Sequence, residues 1–183
     1  MISPNEVQAM MKKVETLFDG GYKLYIAGGY LRDIHNNLSP KDVDIMVVPQ
    51  GYIYDPDDFG EMIVSLEDYT VEKTFIHQCQ YMSDMLERGV GGLVMGSMDC
   101  GTDVQFIIYD NFMSQQEITD DMDMNCNQIT MDSDGQSMTS PEYTKCFEDK
   151  HIKILHSYSE ARKISRMKRM IAKFPDFTNN MGI

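Results

Sequence analysis

The chain has 183 residues, of which 42% are hydrophobic and 25% charged, enough apolar sequence to bury the core of one domain with a short appendage. Its net charge of −13 disfavours a broad nucleic-acid-binding surface, because such surfaces need clustered Lys and Arg. The sequence contains neither an apolar run near the ~20 residues of a membrane span nor the pattern of a signal peptide. Its four cysteines form no CxxC pair, so we expect reduced thiols in a cytoplasmic protein.

The first part of the chain predicts two helices and two strands. Ser3-Pro4-Asn5-Glu6 forms a capping box with proline at the first helical position, and the helix that follows should end at Gly20-Gly21. Residues 23–27 predict a buried strand, residues 30–36 a short helix, and residues 42–48 a second strand. The acidic segment 51–60 predicts a surface loop.

The middle of the chain predicts more helix and then mostly strand. We expect helix at 61–68 and 74–88, followed by strands at 93–97 and 103–109. Residues 129–131 and 136–138 flank a turn with the sequence DSDG and predict a hairpin. This order of elements is typical of an α+β or α/β domain.

The composition changes after residue 149. Eight of the 16 Lys and Arg residues lie within 150–173, beside a single acidic residue, and the rest of the chain has a net charge of −20. Helical spacing of Ala161, Ile164, Met167 and Ile171 predicts an amphipathic helix over 158–174 with its basic residues on the other faces. We therefore divide the chain into a domain at 1–149 and a basic helical segment at 150–183.

Two short motifs bear on chemistry. Gly28-Gly29 lies between a strand and a helix, where glycine lets a phosphate approach the backbone, although a tight turn explains the pair equally well. Asp42 and Asp44 project from one face of the next strand, roughly 7 Å apart, and a divalent cation would offset their repulsion. A solvated strand end is the alternative explanation for this pair.

A third carboxylate, Asp103, opens a strand whose apolar residues point the other way. If this strand lies beside residues 42–48, three carboxylates can serve a two-metal site for phosphoryl transfer. Asp99 and Asp110 are nearby candidates for the same role, and a solvent-facing position is the simpler interpretation of Asp103.

These motifs occur in the order found in a known family. AGGYLRD followed by KDVDI resembles the GG-x-x-RD and D-x-D motifs of the DNA polymerase β-like nucleotidyltransferases, and is most similar to the bacterial tRNA CCA-adding enzyme and poly(A) polymerase family. The segment DMNCN resembles that family's DFTIN segment, although Asp121 and Met122 replace its two preceding arginines. The helix that begins the family's neck is resembled by Glu160, Lys163, Arg166, Arg169 and Lys173, which have the corresponding spacing.

The resemblance implies an α+β head, with a mixed β-sheet flanked by helices, and the start of a helical neck. It implies that Asp42, Asp44 and Asp103 are catalytic residues that bind Mg²⁺, with two ions expected. It further implies that nucleotide-binding residues are Gly28, Gly29, Arg32, Asp33, Asp123, Asn127, Lys163, Arg166 and Arg169. Because Met122 and Lys163 depart from the family at positions that select the base, base preference is left open.

The resulting hypothesis is an Mg²⁺-dependent nucleotidyltransferase that moves a nucleoside monophosphate from an NTP to a hydroxyl and releases pyrophosphate. The acceptor is open: an RNA or tRNA 3′ end, a protein or a small molecule. A non-catalytic nucleotide-binding or regulatory module with the same fold is the main alternative. A phosphatase or nuclease is disfavoured, because it has no evident use for the Gly28-Gly29 turn. The basic helix has its own simpler explanation, a solvated helix docked on an acidic body.

Overall fold

A computed structural model describes residues 2–51, 56–66, 69–76, 89–156 and 159–182. Seven strands form one mixed sheet in the order β3-β4-β5-β2-β1-β6-β7, in which β2 and β5 are parallel and the other neighbours antiparallel. The strands are β1 (Tyr22–Ala27), β2 (Asp42–Pro49), β3 (Tyr69–Ile76), β4 (Val90–Met98), β5 (Asp103–Tyr109), β6 (Ile129–Asp132) and β7 (Ser137–Thr139). A short parallel pair, β8 (His151–Ile152) and β9 (Thr178–Asn179), lies apart from this sheet.

Helices flank the sheet, as expected from the sequence. They are α1 (Pro4–Leu17), α2 (Gly29–His35), α3 (Pro56–Ile63), α4 (Gln115–Asp120), α5 (Pro141–Glu148) and α6 (Glu160–Lys173), with a 3₁₀ turn at Asn125–Asn127. None of these helices is long and apolar enough to cross a membrane, within the part of the chain that the structure describes.

Local signals explain where α1 begins and which side it buries. The Ser3 hydroxyl accepts a hydrogen bond from the Glu6 N–H at 3.4 Å, and the Glu6 carboxylate accepts one from the Ser3 N–H at 2.7 Å. This is the predicted capping box, which satisfies N–H groups that have no partner within the helix. The helix then buries Val7, Met10 and Val14 against the sheet.

The two faces of the sheet pack differently: the main apolar core lies on one face, and the other face carries a smaller apolar cluster. Alternate residues of β2, β5 and β1 pack with α1, α2 and α3 in the main core. The intervening residues, among them Met46, Ile107 and Tyr109, belong to a smaller cluster on the opposite face. A third cluster joins α6 to α5 and the 3₁₀ turn through Met167, Met170 and Phe174.

Several predicted elements are wrong in extent. Helix α3 already begins at Pro56, so the predicted loop at 51–60 is too long, and α3 ends at Ile63 rather than at 68. Residues 74–76, predicted as helix, form the end of β3, where they pair with β4. The rest of that predicted helix, 77–88, lies outside the described residues. The pairing with β4 decides the matter, because hydrogen bonds between strands outweigh a weak local helical pattern.

The phase of the basic helix also differs from the prediction. Met167 and Met170 are its buried residues, whereas Ile164 is 38% exposed. The apolar side is therefore rotated relative to the predicted stripe, and this rotation determines which cations face the sheet.

Candidate functional site

A cavity of about 490 Å³ lies between the second face of the sheet and helix α6. Its floor comes from β2 and β5, one end from the turn at Gly28-Gly29, and its roof from α6. The volume lies within the range of small-molecule and cofactor pockets. The two segments that the sequence analysis treated separately, 1–149 and 150–183, both contribute to this cavity.

The Gly28-Gly29 turn is fixed by hydrogen bonds to the strands beside it. The Gly28 N–H donates to the carbonyl of Ile129 at 3.0 Å, and the Gly28 carbonyl accepts from the Arg32 N–H at 3.0 Å. Gly28 has a φ of +69°, a left-handed value that favours glycine. No side chain caps the start of α2, so its first N–H groups are available near the cavity.

Asp42 and Asp44 both line the cavity from β2. Each is half-buried, and Asp42 lies 3.6 Å from the Lys41 ammonium. Burial raises the pKa of Asp44 to about 7, and the neighbouring Asp42 carboxylate acts in the same direction, while Arg166 partly opposes both. This pair of acids therefore favours a positive partner, whether a proton or a metal cation.

Asp103 lies directly across from Asp42 in the parallel pairing of β2 and β5. Register partners project to the same face of a sheet, so Asp103 shares the face of Asp42. Its side chain is exposed, however, and the cavity residues from β5 are Gln105, Ile107 and Tyr109. Among the described residues, no three His, Cys, Asp or Glu side chains lie close enough together to form a metal-binding group. Convergence of Asp103 with the other two acids stays a prediction.

The two competitors for the third carboxylate lie elsewhere. Asp99 lines a separate cavity beside α1, and Asp110 directly follows β5 close to Gly91. The register of β2 and β5 thus favours Asp103 over both alternatives for a role beside Asp42.

A chain of polar contacts crosses one side of the cavity. The Arg32 guanidinium donates from Nε to Asp33 Oδ1 at 2.8 Å and from a second nitrogen to the side-chain oxygen of Asn127. The Asn127 amide in turn donates to Asp123 Oδ1 at 3.2 Å. All four side chains are buried. These contacts therefore give hydrogen-bond partners to polar groups whose burial would otherwise destabilise the fold. They hold the Gly28-Gly29 turn against the 3₁₀ turn.

Helix α6 binds the two carboxylates at the ends of this chain of contacts, Asp123 and Asp33. Arg166 forms an ion pair with Asp123, and Lys173 forms one with Asp33. The two cations are seven residues apart, about two helical turns, and so lie on one side of the helix. The network therefore fixes both the position and the rotation of α6 over the cavity.

The cations of α6 that line the cavity follow the helical period: Arg162, Arg166, Arg169 and Lys173. The spacing i, i+4, i+7, i+11 places them in one stripe. We call this set the cation stripe. The predicted site did not include two members, Arg162 and Lys173: Lys173 was recognised only by its spacing along the helix, and Arg162 does not fall on the spacing of the resembled family. The helical spacing of these four residues is the signal that could have identified them.

Lys163, a predicted nucleotide-binding residue, does not face the cavity as the adjacent Arg162 does. Its ammonium bonds to the Glu160 carboxylate at 2.8 Å on the same helix, and the described lining of the cavity does not include it. The other predicted nucleotide-binding residues, from Gly28 to Arg169, all line the cavity.

Charge distinguishes the cavity from the rest of the protein. Six cationic and four acidic side chains line it, whereas the whole chain carries −13. The cavity is therefore a locally positive region with an acidic patch at Asp42 and Asp44. Such a site can hold an anion against the cations while a divalent cation offsets the acids.

Comparison with known proteins defines the class of fold. No protein-family model and no curated protein matches the chain. Solved structures do match, and the fold is that of the CCA-adding and tRNA-processing enzymes. The mixed sheet flanked by helices confirms the fold expected from the sequence.

Three of these structures illustrate the likeness. The CCA-adding enzyme of Thermotoga maritima, complexed with tRNA, has a TM-score of 0.66 at 15% identity and is matched over 98% of this chain and 40% of its own. The CCA-adding enzyme of Bacillus stearothermophilus, in complex with CTP, has a TM-score of 0.63 at 18% identity, over 99% and 42%. An apo tRNA-processing enzyme has a TM-score of 0.66 at 17% identity, over 98% and 45%. This chain thus spans less than half of each of them.

Proposed function

We propose that this protein is a nucleotidyltransferase that transfers a nucleoside monophosphate from an NTP to a hydroxyl acceptor, with release of pyrophosphate. The observation that carries the proposal is the cavity itself, in which paired carboxylates on β2 face the cation stripe of α6. Transfer of this kind depends mainly on positioning and on neutralising charge at the phosphates. The similar CCA-adding enzymes have been solved with ATP and with CTP, which favours an NTP as the substrate.

The donor set fits Mg²⁺. Carboxylate oxygens are the ligands that Mg²⁺ prefers, and the raised pKa of Asp44, about 7, reflects the burial and the repulsion from Asp42 that a cation would offset. In this proposal Asp42 and Asp44 hold the metal, and Asp103 completes the site from the adjacent strand. When bound, Mg²⁺ would neutralise charge on the phosphates that undergo transfer.

The chain's own residues have distinct tasks in this proposal. The Gly28-Gly29 turn gives the triphosphate access to backbone N–H groups, since neither residue has a side chain in the way. Arg166 and Arg169 attract the phosphates or the base from α6. Arg32 and Asp33 brace the turn, because the contacts of Arg32 already join it to Asp33 and Asn127. Asp103 would accept the proton of the attacking hydroxyl.

An RNA or tRNA 3′ end is the acceptor that the similar structures favour, since one of them is a complex with tRNA. The net charge of −13 opposes extended contact with an RNA backbone. A protein or small-molecule hydroxyl therefore stays a candidate, and the experiment must compare acceptors.

The test is pyrophosphate release from each labelled NTP with Mg²⁺, with and without bulk tRNA. We expect release by the wild type and its loss in Asp42→Ala/Asp44→Ala. Asp134→Ala/Asp176→Ala, which removes the same charge from the exposed surface, is the matched control and should keep the activity. No NTP binding and no release in the wild type would contradict the proposal.

One observation favours a second candidate, a nucleotide-binding module without turnover. The Asp103 side chain is exposed and does not belong to the described lining of the cavity, although its position on β5 is next to Asp42. In the same experiment this candidate predicts Mg²⁺-dependent NTP binding without pyrophosphate release under any acceptor condition.

A further inference from the structure

We propose that Cys126 and Cys146 form a redox switch: hydrogen peroxide oxidises the two thiols to a disulfide, and this disulfide weakens the binding of nucleotides in the cavity. The oxidation site depends only on the two thiols and their surroundings. Its effect on the cavity rests on the proposed function, because that effect requires an NTP as the ligand.

The fold brings these two thiols into contact from different elements. Cys126 lies in the 3₁₀ turn and Cys146 lies in α5, twenty residues later in the chain. Both thiols are free and both side chains are buried. The Cys146 thiol donates a hydrogen bond to the sulfur of Cys126. Two sulfurs at hydrogen-bond distance need only a small approach to form a disulfide.

The surroundings of the pair distinguish the two thiols. The hydrogen bond from Cys146 lowers the pKa of the Cys126 thiol, and the Arg32 guanidinium acts in the same direction, while burial opposes both. The same contact, together with burial, raises the pKa of the Cys146 thiol. Because the thiolate is the nucleophile in thiol chemistry, Cys126 is the sulfur that attacks the oxidant, and Cys146 is the partner that completes the disulfide.

The oxidation takes place in two balanced steps. The Cys126 sulfur attacks one oxygen of hydrogen peroxide, the O–O bond breaks, and the products are a sulfenic acid on Cys126 and one water molecule. The Cys146 sulfur then displaces the sulfenic oxygen, which leaves as a second water molecule with the thiol proton, and the S–S bond forms. Two thiols thus lose two electrons and two hydrogen atoms, and the peroxide is reduced to water. A dithiol such as dithiothreitol reverses the change by thiol–disulfide exchange.

The S–S bond would strain a segment that is already tied at one end. Ser140, which caps the start of α5, donates from its hydroxyl to the side chain of Gln128 at 2.6 Å and from its N–H to the carbonyl of Gln128 at 3.1 Å. Gln128 directly follows the 3₁₀ turn. With this anchor in place, closure of the disulfide draws the 3₁₀ turn and the later part of α5 toward each other.

Asn127 transmits this movement to the cavity. It follows Cys126 in the 3₁₀ turn, and its side-chain oxygen lies 3.7 Å from the Cys126 sulfur. The same oxygen accepts the hydrogen bond from Arg32 that holds the 3₁₀ turn against the Gly28-Gly29 turn. A Cys126 drawn toward α5 therefore loosens the contact that positions the glycine turn.

A second route leads from α5 to the roof of the cavity. Phe147, the residue after Cys146, packs edge-to-face on Phe174 with ring centroids 5.7 Å apart. Phe174 directly follows Lys173, the last residue of α6 and a member of the cation stripe. A displaced α5 therefore also disturbs the end of the helix that faces the phosphates.

The experiment follows the disulfide and the affinity in the same samples. The full chain is treated with hydrogen peroxide, the remaining thiols are alkylated, and the digested protein is analysed by mass spectrometry. We expect a linked pair of peptides that contain Cys126 and Cys146, lighter by two hydrogen atoms than the two reduced peptides together, which dithiothreitol separates. Dissociation constants for the four NTPs with Mg²⁺ should rise about tenfold on oxidation and return on reduction.

Two variants separate the switch from general oxidation. Cys146→Ser removes the partner thiol from outside the cavity, so its affinity for NTPs should not change on peroxide treatment. Cys100→Ser, which removes an exposed thiol, is the matched control and should respond to peroxide as the wild type does. If Cys146→Ser does not fold, Cys146→Ala makes the same comparison.

Three results would overturn the inference: no Cys126–Cys146 peptide pair from the oxidised wild type, a disulfide that leaves the NTP affinities unchanged, or an equal loss of affinity in the Cys146 variant. The last result would trace the loss to another oxidised side chain, such as a methionine. Failure of the reduced wild type to bind any NTP would instead contradict the proposed function and with it the effect on the cavity, whereas the linked peptides would still establish the oxidation site.

Discussion

On one face of strand β2, the side chains of Val43, Ile45 and Val47 are fully buried among the helices of the main core. On the other face, Asp42, Asp44 and Met46 line the cavity. Burial of the first face stabilises the folded protein. The second face destabilises it, because two like charges lie close together in a half-buried setting. The comparison teaches that successive side chains of one strand have different roles: those on one face stabilise the fold, and those on the other face form the candidate site.

The largest expected effect is on the apolar face. Ile45→Ala should lower the free energy of unfolding by about 2–5 kcal/mol, because it removes buried methyl and methylene groups and leaves a cavity. Urea denaturation followed by circular dichroism measures the change. A loss below about 1 kcal/mol would break the comparison, since Ile45 would not then belong to a close-packed core.

The next effect concerns the attachment of α6 to the cavity. Arg166→Gln should cost about 1–3 kcal/mol, because it leaves the buried Asp123 carboxylate without its cation, although the quarter-exposed Arg166 reduces the loss below that of a fully buried pair. Arg169→Gln, at an exposed cation of the same stripe, is the matched control and should change stability by less than about 0.5 kcal/mol. The measurement is again denaturant unfolding, and equal effects of the two variants would contradict the assigned ion pair.

A third effect is the pH dependence of the cavity face. The pKa of Asp44 is raised to about 7 in the folded protein from an ordinary value of 3.8, so between these values the folded state holds a proton that the unfolded chain has released. This contribution to stability is fully present below pH 4 and is lost as the pH rises through 7. In metal-free protein, raising the pH from 5 to 8 should therefore destabilise the wild type more than Asp44→Asn.

Denaturation midpoints of both proteins at pH 5 and pH 8 test this effect. Mg²⁺ at pH 8 should recover part of the loss in the wild type and none in Asp44→Asn, since it would replace the proton at the carboxylate. Parallel pH profiles of the two proteins would show that Asp44 does not titrate in this range.

The smallest expected effect lies on the outer side of α6. Ile164 is 38% exposed, so Ile164→Ser should alter the free energy of unfolding by no more than about 0.5 kcal/mol. Thermal unfolding of the variant gives the measurement. A loss above about 2 kcal/mol would show that Ile164 is buried, as the sequence-based stripe predicts. The helix would then be rotated so that Arg162 lies away from the cavity.

Much of the fold was predictable because its signals are local. The capping box at Ser3, the glycine turn after β1 and the alternation along β5 each define an element within a few residues. Helices α4 and α5 carry similar signals, since Ser114 with Glu117 forms a capping box and Ser140 caps a helix that begins with Pro141. These helices were missed although the signal was present.

The rest depends on contacts that no local pattern encodes. Residues 74–76 join β3 because they pair with residues 92–94 of β4, and a short sequence window around 74–76 does not contain these partners. Likewise, the helical spacing of the cation stripe is visible in the sequence, but the side of α6 that faces the cavity depends on packing of Met167 and Met170 on the 3₁₀ turn and α5. The pairing of Asp42 with Asp103 was expected only if their strands were neighbours.

The most direct test of the account is a crystal structure of the protein with an NTP and Mg²⁺. The account predicts ions bound by Asp42 and Asp44 with Asp103 turned toward them, the phosphates against the glycine turn, and the nucleotide beneath the cation stripe of α6. A nucleotide bound elsewhere, or an Asp103 side chain directed away from the ions with no other acid in its place, would contradict it.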